Sequence, residues 1–309
     1  MIKVDFFIIG QAKSGTTALA DFLDQHPEIC ISNPKEPGYF ATDILQESDH
    51  FHGKPTYFKT RTITQYEQTF RHAEPGQFLG DASTSYIYST TAAGNILLHN
   101  PEAKLIVLLR NPADFLHSLH TQYVNETTEH ERDFGKALNL ESQRKMGEAL
   151  SKRVKAPSLH YYSERIKYAT QLKRYLDLFR REQILVIPHD EFVLDNAGVY
   201  STVLEFLGLK DSNFKVNFSA LNTSGKPRNA LVNYLIHFPA FKNFLVRLIG
   251  LQTYMRVRKK TRAIFLKKSN RVQLTENERQ NIMNLAGPEI IELDKMLDSS
   301  FVNRWKTRA

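Results

Sequence analysis

Apolar residues along this chain gather into short runs rich in β-branched and aromatic side chains, separated by longer segments whose apolar positions recur every three to four residues. The runs at 4–9, 29–32, 77–80, 105–109 and 184–187 read as strands. The segments 16–25, 63–70, 92–99, 112–124, 164–179 and 200–207 read as helices. Strand and helix alternate, which predicts an α/β fold, a P-loop-like parallel sheet flanked by helices on both faces. Between 42 and 62 the chain is polar and aromatic with weak periodicity, and a loop is expected there. No internal repeat interrupts this order, so the expectation is a single domain with a nucleotide-binding core over 1–228 and a helical C-terminal extension over 229–309.

The first strand breaks at Gly10 and passes through Gln11-Ala12-Lys13-Ser14-Gly15-Thr16-Thr17 into a helix with Ala18, Leu19, Phe22 and Leu23 on one face. A tight, glycine-punctuated turn from strand to helix directs backbone N–H groups and a helix N-terminus at one point, so it favours a phosphate or another tetrahedral oxyanion. Gly10 and Gly15 have the spacing of the nucleoside-triphosphate loop G-x-x-x-x-G-K-[ST], yet Thr16 stands where that loop has lysine, and the lysine lies earlier, at Lys13. The fourth strand run ends in Arg110, where a nucleoside triphosphatase would place an aspartate to help hold Mg²⁺. A guanidinium there argues for an anionic group bound directly. Pro112 suits the first position of a helix, so Arg110 emerges at a strand end and Ser118 lies about two turns along the helix. Both can reach one phosphate; the plainer alternative is a salt-bridged arginine and a packed serine.

At these residues the chain resembles the sulfotransferases that use 3′-phosphoadenosine 5′-phosphosulfate (PAPS). Lys13-Ser14-Gly15-Thr16-Thr17 is similar to that family's 5′-phosphosulfate loop, and Arg110-Asn111-Pro112 followed by Ser118 to its 3′-phosphate site. Lys35-Glu36-Pro37-Gly38-Tyr39-Phe40 is similar to the K-E-x-x-x-F segment of the carbohydrate branch, and Gly80-Asp81-Ala82-Ser83-Thr84-Ser85-Tyr86 continues the match. The resemblance covers about the first two-thirds of the chain, and more weakly reaches Arg228.

The resemblance implies a function: transfer of a sulfuryl group from PAPS to a hydroxyl or amine of an acceptor, a carbohydrate or glycolipid, by metal-free in-line displacement. Ser14, Gly15, Thr16 and Thr17 would hold the 5′-phosphate and Arg110 with Ser118 the 3′-phosphate. Lys13 would meet the bridging oxygen as the S–O bond breaks. Glu36, after the second strand and beside Lys35, is the position of the carbohydrate-branch base. Asp81 is a second candidate, or a group that orients the acceptor. Ala82 stands where the glucosaminyl branch has lysine, which places recognition of a heparan-like acceptor in question. Lys226 and Arg228 lie in a polar basic loop that resembles the family's late segment near the nucleotide 3′-phosphate; the plainer alternative is an exposed turn.

A net charge of +8 suits acidic partners without choosing among nucleotide, anionic sugar, nucleic acid or membrane. No nucleic-acid-binding motif is present. Cys30 is the one cysteine, so an intrachain disulfide or a cysteine-based metal site is excluded, and its apolar neighbours suggest an inert core thiol. His50 and His52 have the spacing of a metal pair on a strand but lack a third ligand nearby, and no metal is expected. The chain opens directly on a fold strand, with neither signal-like nor anchor-like segment, which suggests either a cytoplasmic protein or one whose N-terminal anchor has been removed. From 231 to 268 dense apolar residues precede a basic run, readable either as a helical cap with a solvated face or as an interfacial helix docking on a membrane or acidic polymer. Thr275 and Glu278 form a capping-box pattern. Two other functions stay open at this point: a P-loop kinase or hydrolase, opposed by Thr16 and Arg110, and a non-catalytic basic binding module, opposed by Lys13 and Glu36.

Overall fold

The computed structural model describes residues 2–209, 215–218, 226–227, 266–267 and 274–306. Among these, five strands form one parallel sheet: β1 (Phe6–Gly10), β2 (Ile29–Ile31), β3 (Phe78–Asp81), β4 (Lys104–Leu109) and β5 (Ile184–Pro188), in the order β2-β3-β1-β4-β5. Strand side chains alternate between faces, and here both faces are buried. Phe7, Ile9, Leu105, Val107 and Leu109 enter one core while Phe6, Ile8, Ile106 and Leu108 enter the other. Helix α1 (Thr16–Leu23) and a later helix with Tyr200, Val203, Leu204 and Leu207 cover the second face.

The predicted strands stand within about two residues of their expected ends. The loop expected over 42–62 is wrong in its first half: α2 (Thr42–His52) is a helix that buries Ile44, Leu45 and Ser48. Three inward positions are enough to dock it, and its remaining polar surface masked the period. His50 and His52 both lie on this helix, and the His52 Nε2 is 2.8 Å from the Val154 carbonyl oxygen, so the strand-like pairing does not arise. The helix expected over 63–70 splits into α3 (Ile63–Glu67), capped by Thr62 with Gln65, and a 3₁₀ turn. Helix α4 (Ala92–His99) falls where expected.

Helix α5 (Pro112–Asn125) begins as read, with Pro112 in its first turn and the Asn111 side chain accepting from the Ala113 and Asp114 N–H groups. Short helices α6 (Phe134–Asn139), α7 (Glu141–Lys145) and α8 (Tyr162–Arg165) then lead to α9 (Tyr168–Leu176). The helix expected over 164–179 is thus broken before Tyr168. After β5 come α10 (His189–Leu194) and α11 (Asn196–Leu207).

Residues 1–220 and 274–309 form one compact unit and 221–273 another. In the second, Lys226–Pro227 pairs antiparallel with Leu266–Lys267 as β6 and β7. Arg228 and, apart from Leu266–Lys267, the segment 231–268 lie outside the described residues. In the first unit, α12 (Glu276–Leu297) starts at the capping box read from Thr275 and Glu278 and packs on α9 and α5, and α13 (Phe301–Lys306) follows it. Among the described residues no helix is long and apolar enough to cross a membrane. Cys30 is buried on β2, and burial with Asp24 nearby pushes its thiol up to about 11, as suits a core side chain.

Candidate active site

The helix following β1 covers one face of the sheet, while α5, which follows the adjacent β4, contributes Phe115, Leu116 and Leu119 to the other. The chain therefore parts between these two strands, and open α/β sheets offer a ligand crevice at such a point, beyond the strand C-termini. The loop 11–15 follows β1 and Arg110 follows β4, both at that end of the sheet. The β1–β4 ladder slips between Ile8 and Gly10, and Gln11 N–H then donates to the Leu108 carbonyl at 2.7 Å. Beyond it Ser14 N–H turns back to the Gln11 carbonyl at 3.2 Å.

Two residues of the loop have left-handed backbone, Lys13 at φ 64° and Gly15 at φ 93°. Gly15 is the N-cap residue of α1 and provides no side-chain cap, whereas α5 and α12 are capped by Asn111 and Thr275. The first-turn N–H groups of α1 thus keep their donor capacity and the positive end of its dipole for an external acceptor. A Cβ on Gly15 would lie 2.8 Å from two Phe192 ring carbons, so glycine is required by packing as well as by φ. Thr16 is buried and Thr17 exposed in that first turn.

Arg110 stands where the sequence placed it: its Nη1 donates to the Lys13 carbonyl at 3.0 Å, and its own carbonyl accepts from the Tyr168 hydroxyl at 3.0 Å. Tyr168 is fully buried and at the same time fixes the end of β4. Ser118, half-buried on α5, makes no side-chain hydrogen bond among the described residues. Of Lys226 only the backbone is described.

Three contacts of the loop, made by His189, Gln11 and Arg165, were not read from the sequence. His189 Nδ1 is 3.0 Å from the Ser14 carbonyl; since a carbonyl only accepts, that nitrogen carries the proton. Burial and the nearby Arg110 guanidinium hold the imidazole below its ordinary pKa. Gln11 is fully buried, its Nε2 donating to the Arg165 carbonyl at 3.1 Å and its Oε1 accepting from Ala12 N–H at 3.0 Å. Arg165 completes this set. The rule that singled out Arg110, inspection of strand C-termini, would have found His189, which directly follows β5.

Glu36 lies on the loop after β2, again left-handed at φ 62°. Its Oε1 takes the Lys35 ammonium at 2.9 Å and the Thr84 hydroxyl at 3.5 Å, and half its side chain is open to solvent. Lys13 shares this left-handed backbone, as do Phe58, Thr127, Ala149 and Asp298. Asp81 is fully buried at the end of β3. Ser83 donates to one of its oxygens at 2.7 Å, and Tyr66 and Tyr86 to the other at 3.0 and 2.7 Å. Burial outweighs these donors and raises its carboxyl to about 6. Ser83 Oγ in turn accepts from Gly38 N–H at 3.0 Å, so Asp81 anchors the loop that carries Glu36. That geometry suits a positioning group.

Among the described residues no group of three or more His, Cys, Asp or Glu side chains could hold a metal ion.

A family model described as "Sulfotransferase family" matches residues 5–213. Among characterised proteins, the bifunctional heparan sulfate N-deacetylase/N-sulfotransferase 3 of Homo sapiens is 27% identical over 209 residues, 66% of this chain and 22% of that protein. The corresponding protein 2 of Homo sapiens is 29% identical over 207 residues, with the same coverage. The chain spans about a fifth of the length of these relatives. A sulfotransferase structure from Alicyclobacillus acidocaldarius superposes with a TM-score of 0.72 over 99% of this chain and 100% of that one, at 23% identity, and so shares the fold.

Proposed function

The chain belongs to the sulfotransferase family, and from that premise we propose that it transfers the sulfuryl group of PAPS to a hydroxyl or amine of a glycan or glycolipid acceptor. The observation that carries this reading is the uncapped N-terminus of α1 behind the left-handed Lys13–Gly15 loop, with Arg110 bonded to the Lys13 carbonyl. Such a cradle suits the 5′-phosphosulfate. A second anion, the 3′-phosphate, would be held by Arg110 and the unengaged Ser118 hydroxyl, and it is this phosphate that separates PAPS from ATP.

In the reaction the acceptor oxygen or nitrogen forms a bond to sulfur as the bond from sulfur to the bridging phosphate oxygen breaks. Glu36, its carboxylate open to solvent, takes the acceptor proton; Lys13 neutralises charge on the departing oxygen. Asp81 contributes by holding the Glu36 loop. The heparan sulfate relatives motivate a glycan acceptor, while Ala82, in place of the lysine of that branch, points away from an identical one.

The test is calorimetric titration in EDTA with adenosine 3′,5′-bisphosphate and with ATP, repeated with Mg²⁺. Metal-independent bisphosphate binding, strongly weakened in Arg110→Ala, is expected. Preference for ATP with Mg²⁺ would overturn the reading.

A further inference from the structure

Among the described residues two guanidinium groups are almost wholly buried, Arg144 at 1% and Arg165 at 3% exposure, and their surroundings differ in their charged partners. Arg144 has a carboxylate: its Nη2 lies 2.7 Å from Glu129 Oε2, and its Nη1 donates to the His160 carbonyl at 3.2 Å. Arg165 has none among the described residues. Its guanidinium lies over the Tyr88 ring at 4.6 Å, its Nη2 reaches Gln11 Oε1 at 3.4 Å, and its Nε, like that of Arg144, has no partner among the described residues. Removing an unpaired cation from water costs several kcal/mol, more than a ring face and one long hydrogen bond return. A fold retains such a group where an opposite charge arrives later.

Gln11 shows where that charge belongs. It is the first residue of the anion loop, and it is clamped to Arg165 twice, by side chain to backbone carbonyl and by guanidinium to side-chain oxygen. The same Gln11 oxygen accepts from Ala12 N–H, next to Lys13. Arg165 is thus bonded directly to the first residue of the loop.

We propose that Arg165 is a positioning residue for the sulfuryl-donor site: a buried positive charge, without a carboxylate among the described residues, that sets the loop through Gln11 and is neutralised by the anionic nucleotide. This deepens the donor reading above and rests on it. The proposal separates two quantities that an ordinary structural arginine would move together. Replacing the guanidinium by an apolar side chain of similar length removes a desolvation cost from the free protein, and Gln11 Oε1 keeps its Ala12 partner. The same change removes attraction for the anion.

The experiment compares wild type, Arg165→Met and Arg165→Lys by thermal melting without ligand and by titration with adenosine 3′,5′-bisphosphate. Arg165→Met is expected to melt at or above the wild-type temperature while binding the bisphosphate at least about tenfold more weakly, the scale of one lost charge-assisted interaction. Arg165→Lys, which keeps the charge, is expected to bind within about threefold of wild type. If Arg165→Met melts well below wild type, or binds equally, or if the Lys variant loses as much affinity as the Met variant, the inference is overturned. Failure of wild type itself to bind would instead remove the donor reading, and this inference with it.

Discussion

Gly15→Ala tests the geometry of the anion loop in two separable parts. Gly15 sits at φ 93°, and an added Cβ would come within 2.8 Å of two ring carbons of Phe192. Holding an L-residue in left-handed backbone costs about 1–2 kcal/mol. Displacing a buried aromatic ring in a packed core costs about 1–3 kcal/mol more. The sum, about 2–5 kcal/mol, is a large part of the stability of a typical domain. Equilibrium urea denaturation at unchanged slope reads it directly. The two parts come apart in a double-mutant cycle with Phe192→Leu, which opens space where the Cβ would intrude. In that background Gly15→Ala should retain only the backbone cost of about 1–2 kcal/mol. Both Ala variants should bind adenosine 3′,5′-bisphosphate more weakly, because the first-turn N–H groups of α1 move. Equal costs in the two backgrounds would refute the crowding by Phe192. A cost below about 0.5 kcal/mol in the Leu background would refute the left-handed constraint.

Other outcomes follow from the same geometry. Lys13→Ala should abolish sulfuryl transfer in a radiolabelled-donor assay, and Lys13→Gly, equally inactive, should be about 1 kcal/mol more stable than Lys13→Ala because position 13 is left-handed; transfer surviving in either would remove Lys13 from the chemistry. Glu36→Gln should lose turnover with bisphosphate affinity changed less than about twofold, and an active variant would overturn the base assignment. Asp81 has a folded-state pKa raised to about 6 by burial, so the native state holds its proton to higher pH than the unfolded chain does. Its contribution therefore improves as pH falls through 6, and from pH 7 to pH 5 wild type should gain about 1 kcal/mol relative to Asp81→Asn in urea midpoints; no relative gain would refute the burial argument. Arg144→Ala leaves the Glu129 carboxylate buried without its guanidinium and should cost about 3–5 kcal/mol. Glu129 is held down at about 2, so its contribution is present above the usual carboxylate range and lost as pH falls toward 2; the Arg144→Ala deficit should shrink in acid.

Signals that act over a few residues were legible in the sequence. The apolar runs became strands because parallel strands buried on both faces need apolar residues throughout. The Gly10–Gly15 turn, Pro112 at the start of α5 and the Thr275–Glu278 capping box each state a backbone conformation in adjacent residues, and each is found where it was read. Arg110 could be placed for the same reason: a charged residue ending an apolar run must lie at a strand end. Helix α2 was missed because only Ile44, Leu45 and Ser48 face inward, too few to show a period against a polar background. What joins the site lies far apart in sequence. His189 to Ser14 spans 175 residues, Gln11 to Arg165 spans 154, and Ser83 to Gly38 spans 45. By itself the sequence determined the strand–loop–helix cradle, the sheet and the family resemblance, since these depend on local propensity and spacing. Only the tertiary structure decided that Asp81 is an anchor, that His189 braces the loop and that Arg165 is a buried cation without a carboxylate among the described residues. Burial and pairing belong to residues brought together by chain crossings, and no local pattern encodes them.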